Sequence, residues 1–286
     1  HRMVLLDNLA VLLFLISMFL LLTPDRRIWP QQAGMVVFGL TVLTKETMLL
    51  LAPVTFMLLW QGSGRANRRY VLTLGLALFG SVVLFYPLMA ALKGELLPGE
   101  SHVSLMEAVH WHLFGRPGSG SVFLSDSNSR AIVENWVQLD PWLPSLGLLT
   151  LPIGLWASRM RPLAVGVIAL LAVLVRPGYL PNMFVICALP ALALLVAGVA
   201  DLAWAGWRGR HSAVDSRIAE RFLQAVLAGV ALSIALFGIG PTWASGLNAQ
   251  LTQDLARPYE AAESWVAANI PAGTPILLDS VLWMEL

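Results

Sequence analysis

The chain has 286 residues, 57% apolar and only 12% charged, with a formal net charge of +1 and a mean hydropathy of +0.73. A soluble domain carries about a quarter of its residues charged, so half that fraction spread over long apolar runs points to lipid as the solvent. The near-neutral balance offers no basic patch for nucleic acid, and the lone Cys187 excludes a disulfide framework or a cysteine metal site. The chain opens on His1 without a signal-peptide pattern and stops at Leu286, which reads as an internal piece of a longer protein.

A membrane-spanning helix needs about 20 apolar residues. Apolar segments occupy residues 4–22, 33–43, 48–60, 71–92, 142–157, 163–175, 182–203 and 222–242. Arginines mark four short loops between them: Arg26 and Arg27; Arg65, Arg68 and Arg69; Arg159 and Arg161; and Arg208, Arg210, Arg217 and Arg221. If all four loops lie in the cytoplasm, the spans between them come in pairs. That parity requires a chain reversal at Lys45-Glu46, between two short helices. On this reading 11 of the 18 Lys and Arg but only 4 of the 17 acids are inside. His1, His102, His110 and His112 are outside. Carboxylates and imidazoles are the usual general bases and metal ligands, so function is expected on the outer face, in residues 93–140 and beyond Trp243.

Five constellations follow in chain order. Asp7, at the outer end of a span, is a costly carboxylate unless it is functional or complements a helix dipole. Lys45, at a break between helices, suits a lipid phosphate or anchors a turn at the interface. Glu107 and His110 share a helix face as possible divalent-metal ligands, while Ser104-Leu105-Met106-Glu107 reads equally as a capping box. In that case Leu105, Met106, Val109 and Leu113 would lie on the membrane surface. The stretch 115–121 is glycine-rich without the lysine of a nucleotide phosphate loop, and Arg116 and Arg130 are free to meet an anionic group. Arg176 and Tyr179, on the turn Arg176-Pro177-Gly178-Tyr179-Leu180-Pro181, suit a phosphate at the membrane boundary or form an interfacial anchor. Beyond the last span, helical spacing over 258–269 precedes a turn at Pro271-Ala272-Gly273. A buried strand over 276–278 would open an extracytoplasmic α/β domain.

The order of these motifs resembles the protein O-mannosyltransferase and aminoarabinose transferase superfamily. Arg2 through Asp7-Asn8 resembles the motif at the head of a span, and Gly39-Leu40 through Thr44-Lys45-Glu46 with Pro53 resembles its lysine hairpin. Arg176 through Tyr179-Leu180-Pro181, leading to Leu189-Pro190, resembles a late-span signature. The loop from Phe114-Gly115-Arg116-Pro117 to Trp136 and Asp140-Pro141-Trp142 is similar to that of bacterial members with family 39-like, GT-C architecture. So is the tail Trp265-Val266, Asn269 and Pro271 with Asp279 and Trp283. The resemblance covers nearly the whole chain.

It implies an all-α polytopic bundle over residues 1–243, with the beginning of a truncated extracytoplasmic α/β domain over 244–286. It further implies a plasma-membrane glycosyltransferase that moves a sugar from a polyprenyl-phosphate donor to a protein or glycan acceptor on the extracytoplasmic face. Asp7 and Arg2 would support the catalytic cavity, with the main catalytic acid upstream of His1. Lys45, Arg176 and Tyr179 would contact the lipid phosphate, and Arg116 and Arg130 the donor or acceptor. Some relatives hold a divalent metal near an outer-loop histidine, which nominates His110 with Glu107; no nucleotide or redox cofactor is expected. A transporter, a lipid-linked oligosaccharide ligase or polymerase, and a non-catalytic scaffold are the alternatives.

Overall fold

The computed structural model describes residues 6–22, 27–99, 102–175, 178–180, 184–210, 234–252, 254, 257–271 and 274. They are helical, with no strand among them. The expected strand at 276–278 and most of the expected span 222–242 lie outside the described residues. So do Arg2, Arg176, Asp279 and Trp283. The chain divides into two compact units, residues 5–226 and residues 227–286 with 1–4.

In the larger unit, α1 (Leu6–Leu21) and α2 (Ile28–Thr44) pack along each other, and a 3-10 segment (Glu46–Leu51) leads into α3 (Ala52–Gly62). Next come α4 (Arg68–Val83) and α5 (Phe85–Leu92). The backbone stays helical through Leu84, whose N–H bonds the Gly80 carbonyl, so residues 68–92 run as one apolar rod. Pro87 brings no amide to this ladder. The segment 93–140 contains α6 (Leu105–His110), a π-turn (Trp111–Gly115) and α7 (Asn128–Leu139). Then α8 (Trp142–Trp156), α9 (Arg161–Val175) and α10 (Phe184–Arg210) complete the unit. Two stretches, Arg68–Leu92 and Phe184–Leu202, are long and apolar enough to cross a membrane; α1, α8 and α9 are shorter apolar helices.

Close contacts fix which ends lie together. A Cβ on Gly62, at the end of α3, would come within 2.9 Å of the Gln31 amide and 3.1 Å of the Leu21 carbonyl. The Gln61 amide donates to the Ser158 carbonyl at 3.0 Å, and a Cβ on Gly198 would collide with Met160. The arginine-bearing connections α1–α2, α3–α4 and α8–α9 therefore meet at one end of this unit. The start of α1, the end of α2 and the start of α3 meet at the other. The chain does reverse at Lys45, where the backbone is extended (φ −150°, ψ 112°).

The inside of this unit is unusually polar. Asp7, Ala10, Phe14, Ser17, Met18 and Leu21 form one buried stripe on α1 at helical spacing. Gln31, Gln32, Thr41, Thr55 and Ser63 are buried too, whereas Leu9, Leu12, Phe19, Leu84, Phe85, Leu149 and Trp156 face outward. Polar groups are thus buried beside an apolar core while many large apolar side chains face outward, unlike a typical water-soluble domain. Ser17 Oγ donates to the Gly34 carbonyl at 2.7 Å, and Gln32 Nε2 donates to the Val71 carbonyl at 3.1 Å. The expected span 33–43 starts later than α2 for this reason. Gln31 and Gln32 read as polar punctuation, yet they lie within the helix and face its neighbours. Aromatic rings continue the core, with Phe38 stacked on Phe79 at 5.3 Å and Phe56 edge-on to Phe79 at 5.8 Å. Glycines allow close helix approach: on α8, Gly147 and Gly154 receive Leu192 and Leu195 of α10.

The second unit contains a π-turn (Ile234–Ile239), α11 (Gly240–Thr252) and α12 (Arg257–Asn269). α12 covers the expected helix 258–269, and the Thr274 N–H closes a turn onto the Pro271 carbonyl at 3.2 Å.

Candidate functional site

The helix reversal carries an ion pair. Lys45 Nζ lies 3.2 Å from Asp7 Oδ2. Asp7 heads the buried stripe of α1, and Lys45 is the extended residue that separates α2 from the 3-10 segment. Adjacent charges on a helix point apart, so Lys45 turns away from Glu46 toward a carboxylate 38 positions earlier. Cys187 lies in the first turn of α10, and α10 packs against α1, the helix that carries Asp7. Two separate sequence candidates thus become one site, and Cys187 is a residue that sequence reasoning did not single out. Its only signal was a position shortly before Leu189-Pro190.

The turn between α9 and α10 is strapped to the segment after α6. The Ser119 N–H donates to the Gly178 carbonyl at 3.0 Å, and the Leu180 N–H donates to Ser119 Oγ at 3.1 Å. The Ser129 N–H reaches the Ser119 carbonyl at 3.0 Å, and the Val122 N–H reaches the Leu174 carbonyl at 3.1 Å. Ser119 and Leu180 are buried, so these bonds are shielded from competing water. Tyr179 sits between the two fixed residues, and the Arg116 guanidinium carbon stands 3.4 Å above the centre of its ring. The Trp111 ring centre is 5.2 Å from the same guanidinium carbon, and His112 Nδ1 is 3.5 Å from Arg116 Nη1. Tyr179 and Arg116, proposed separately from the sequence, are therefore neighbours.

Gly120 is the hinge of the strap. Its φ of +78° suits glycine, and a Cβ there would come within 2.7 Å of the Ser127 side chain. Gly120→Ala is expected to cost about 1–2 kcal/mol. It should also loosen Ser119 from Gly178, read as faster proteolysis between residues 111 and 129.

The remaining candidates fall elsewhere. Arg130 pairs with Glu134 at 2.8 Å on the exposed face of α7. Glu107 closes a capping box: its N–H donates to Ser104 Oγ at 3.1 Å, and its carboxylate accepts from the Ser104 N–H at 3.3 Å and from Ser104 Oγ at 3.1 Å. His110 packs on Phe114 at 5.4 Å. Among the described residues no group of three or more His, Cys, Asp or Glu could hold a metal ion; Glu107 is engaged with Ser104 and His110 lies against Phe114. Asp140 caps α8 by accepting from the N–H groups of Trp142 and Leu143.

Sequence reasoning also missed a groove between α7, α8, α9 and α10. It offers a cavity of about 140 Å³, partly open to the outside, and every lining residue is apolar; Trp136, Leu148, Leu170, Leu174, Phe184 and Ala188 define its walls. Phe184 and Ala188 flank Cys187 in sequence, so the groove runs along the start of α10, the helix that packs against α1. Four helices contribute, so no single segment could have revealed it. No family model, no curated protein and no solved structure matches the chain.

Proposed function

We propose that this chain is a polytopic membrane glycosyltransferase of GT-C architecture that moves a sugar from a polyprenyl-phosphate carrier to an acceptor on the extracytoplasmic face of the plasma membrane. The observation that carries the reading is the Asp7–Lys45 pair at the helix reversal, together with an all-apolar groove. Three features support the setting. Several polar side chains are buried and many large apolar ones face outward, two helices have spanning length, and three of the four arginine connections gather at the end opposite the pair. Under the positive-inside rule that end is cytoplasmic, and the pair faces out.

The chemistry asked of such a site is simple to state. The acceptor oxygen bonds to the anomeric carbon of the sugar, the bond from that carbon to the carrier phosphate breaks, and the phosphate leaves with the electron pair. A carboxylate takes the acceptor's proton, and cations stabilise the departing phosphate in a site of low dielectric. Asp7 uses Oδ2 on Lys45, which leaves Oδ1 to receive an acceptor hydroxyl. The groove shelters the carrier's hydrocarbon, which enters sideways between helices and needs no aqueous path.

The test is transfer of radiolabelled sugar from a polyprenyl-phosphate donor by the full chain in proteoliposomes. Asp7→Asn is expected to reduce turnover by about a hundredfold while leaving donor binding intact. Normal turnover in that variant would remove Asp7 from the site. Uptake of a soluble solute without lipid donor would favour a transporter instead.

A further inference from the structure

The cations near the reversal and the outer segment differ in what already neutralises them. Lys45 is satisfied by Asp7 at 3.2 Å, and Arg130 by Glu134 at 2.8 Å. The Glu107 and Asp140 carboxylates are occupied with helix N-termini. Arg116 lies against the face of Tyr179, the Trp111 ring and His112 Nδ1. No carboxylate pairs with it among the described residues.

A guanidinium whose carbon stands 3.4 Å over a ring centre turns its π face to the ring when it stacks, leaving N–H groups directed outward in its own plane. Those in-plane donors match two oxygens of one phosphate. The stack also holds a flexible side chain before any ligand arrives, which lowers the entropic cost of binding. The rigidity has a visible source. Ser119, three residues after Arg116, grips Gly178 and Leu180 on both sides of Tyr179, so cation and ring are held by the same strap. That strap also bonds the carbonyl of Leu174, a groove-lining residue. The unpaired guanidinium is thereby tied to the wall of the hydrocarbon groove.

We propose that Arg116, stacked on Tyr179, is the phosphate-recognition residue of this protein, taking one phosphate edge-on at the mouth of the apolar groove. Lys45 then serves chiefly to hold Asp7. Tyr179 acts through its ring face, and its hydroxyl is dispensable. The assignment rests on the lipid-carrier reading for the identity of the phosphate, but the anion site itself does not require that reading.

The experiment measures equilibrium binding of radiolabelled farnesyl phosphate to the full chain in nanodiscs, with farnesol and inorganic phosphate as competitors. Wild type is expected to bind farnesyl phosphate, and farnesol is expected to compete poorly. Arg116→Gln should weaken binding by about tenfold or more, and Arg116→Lys by nearly as much, since an ammonium neither stacks flat nor bonds bidentately. Tyr179→Phe should bind as wild type, whereas Tyr179→Leu should lose affinity alongside Arg116→Gln. Thermal unfolding of each variant checks that the strap is intact.

Wild-type affinity in a folded Arg116→Gln protein overturns the assignment. If the neutral pair Asp7→Asn with Lys45→Met abolishes binding while Arg116→Gln does not, the phosphate sits on Lys45. The lipid-carrier reading then survives without this proposal. If inorganic phosphate binds as tightly as farnesyl phosphate and both depend on Arg116, the anion site stands and the lipid-carrier reading falls.

Discussion

Replacing Lys45 with methionine is expected to lower the stability of the larger unit by about 3 kcal/mol, because it strands a buried carboxylate. Methionine keeps most of the lysine stem and its packing, so the change isolates the charge. Asp7 is 7% exposed at its side chain and Lys45 27%. Water reaching the lysine end places the effect at the lower limit for breaking a buried pair. The extended residue at the reversal loses its only long-range bond with the change, so α2 and the 3-10 segment should separate first. Two further variants divide structure from chemistry. Asp7→Asn combined with Lys45→Met removes both charges and should recover most of the stability. Exchanging the charges, Asp7→Lys with Lys45→Asp, should restore folding but not transfer, since the carboxylate and the ammonium then occupy each other's places. Unfolding in detergent and initial transfer rates read the two properties separately. A Lys45→Met protein as stable as wild type shows that the pair does not hold the reversal. A charge-exchanged protein with full turnover shows that it does nothing else.

How far these features can be read from the sequence depends on their range along the chain. The capping box at Ser104 and Glu107 is a four-residue pattern, and it was legible. So was the rod from Arg68 to Leu92, read from the sequence as 71–92, with arginines at its start and Lys93 after its end. The reversal at Lys45 followed from counting arginine loops, a global constraint that needs no local signal. Hydropathy failed at Gln31 and Gln32, because it ranks an amide as polar without knowing that the Val71 carbonyl awaits Gln32. Pairing failed wherever partners are distant. Nothing near Lys45 points to Asp7, and nothing near Arg116 points to Tyr179, 63 positions later, because helix packing and the Ser119 strap make those encounters. The cap that Glu107 makes has a local reason. Its carboxylate is already bonded to the Ser104 N–H and hydroxyl.

Ala188→Phe is expected to raise KM for a polyprenyl-phosphate-linked sugar by about a hundredfold without changing kcat at saturation. Ala188 forms part of the groove wall beside Phe184, so a ring added there occupies space that the carrier's hydrocarbon would otherwise fill. Burying one methylene contributes about 0.8 kcal/mol; displacing most of a five-carbon isoprene unit costs about 3 kcal/mol, hence the two orders of magnitude. The hydrocarbon makes the same contacts before and during sugar transfer. Losing them weakens ground state and transition state alike, which is the signature of a KM effect alone. Farnesyl phosphate should weaken together with longer carriers, because Ala188 is one turn from the start of α10 and even a short tail passes it. Binding of inorganic phosphate should be unchanged. Leu148→Ala provides the converse change in a half-exposed position. It widens the groove without threatening the core and should weaken carrier binding only severalfold, by the contacts of one side chain. If Ala188→Phe instead lowers kcat at constant KM, the ring acts by distorting α10 and, through α1, the Asp7–Lys45 pair, and the hydrocarbon lies elsewhere.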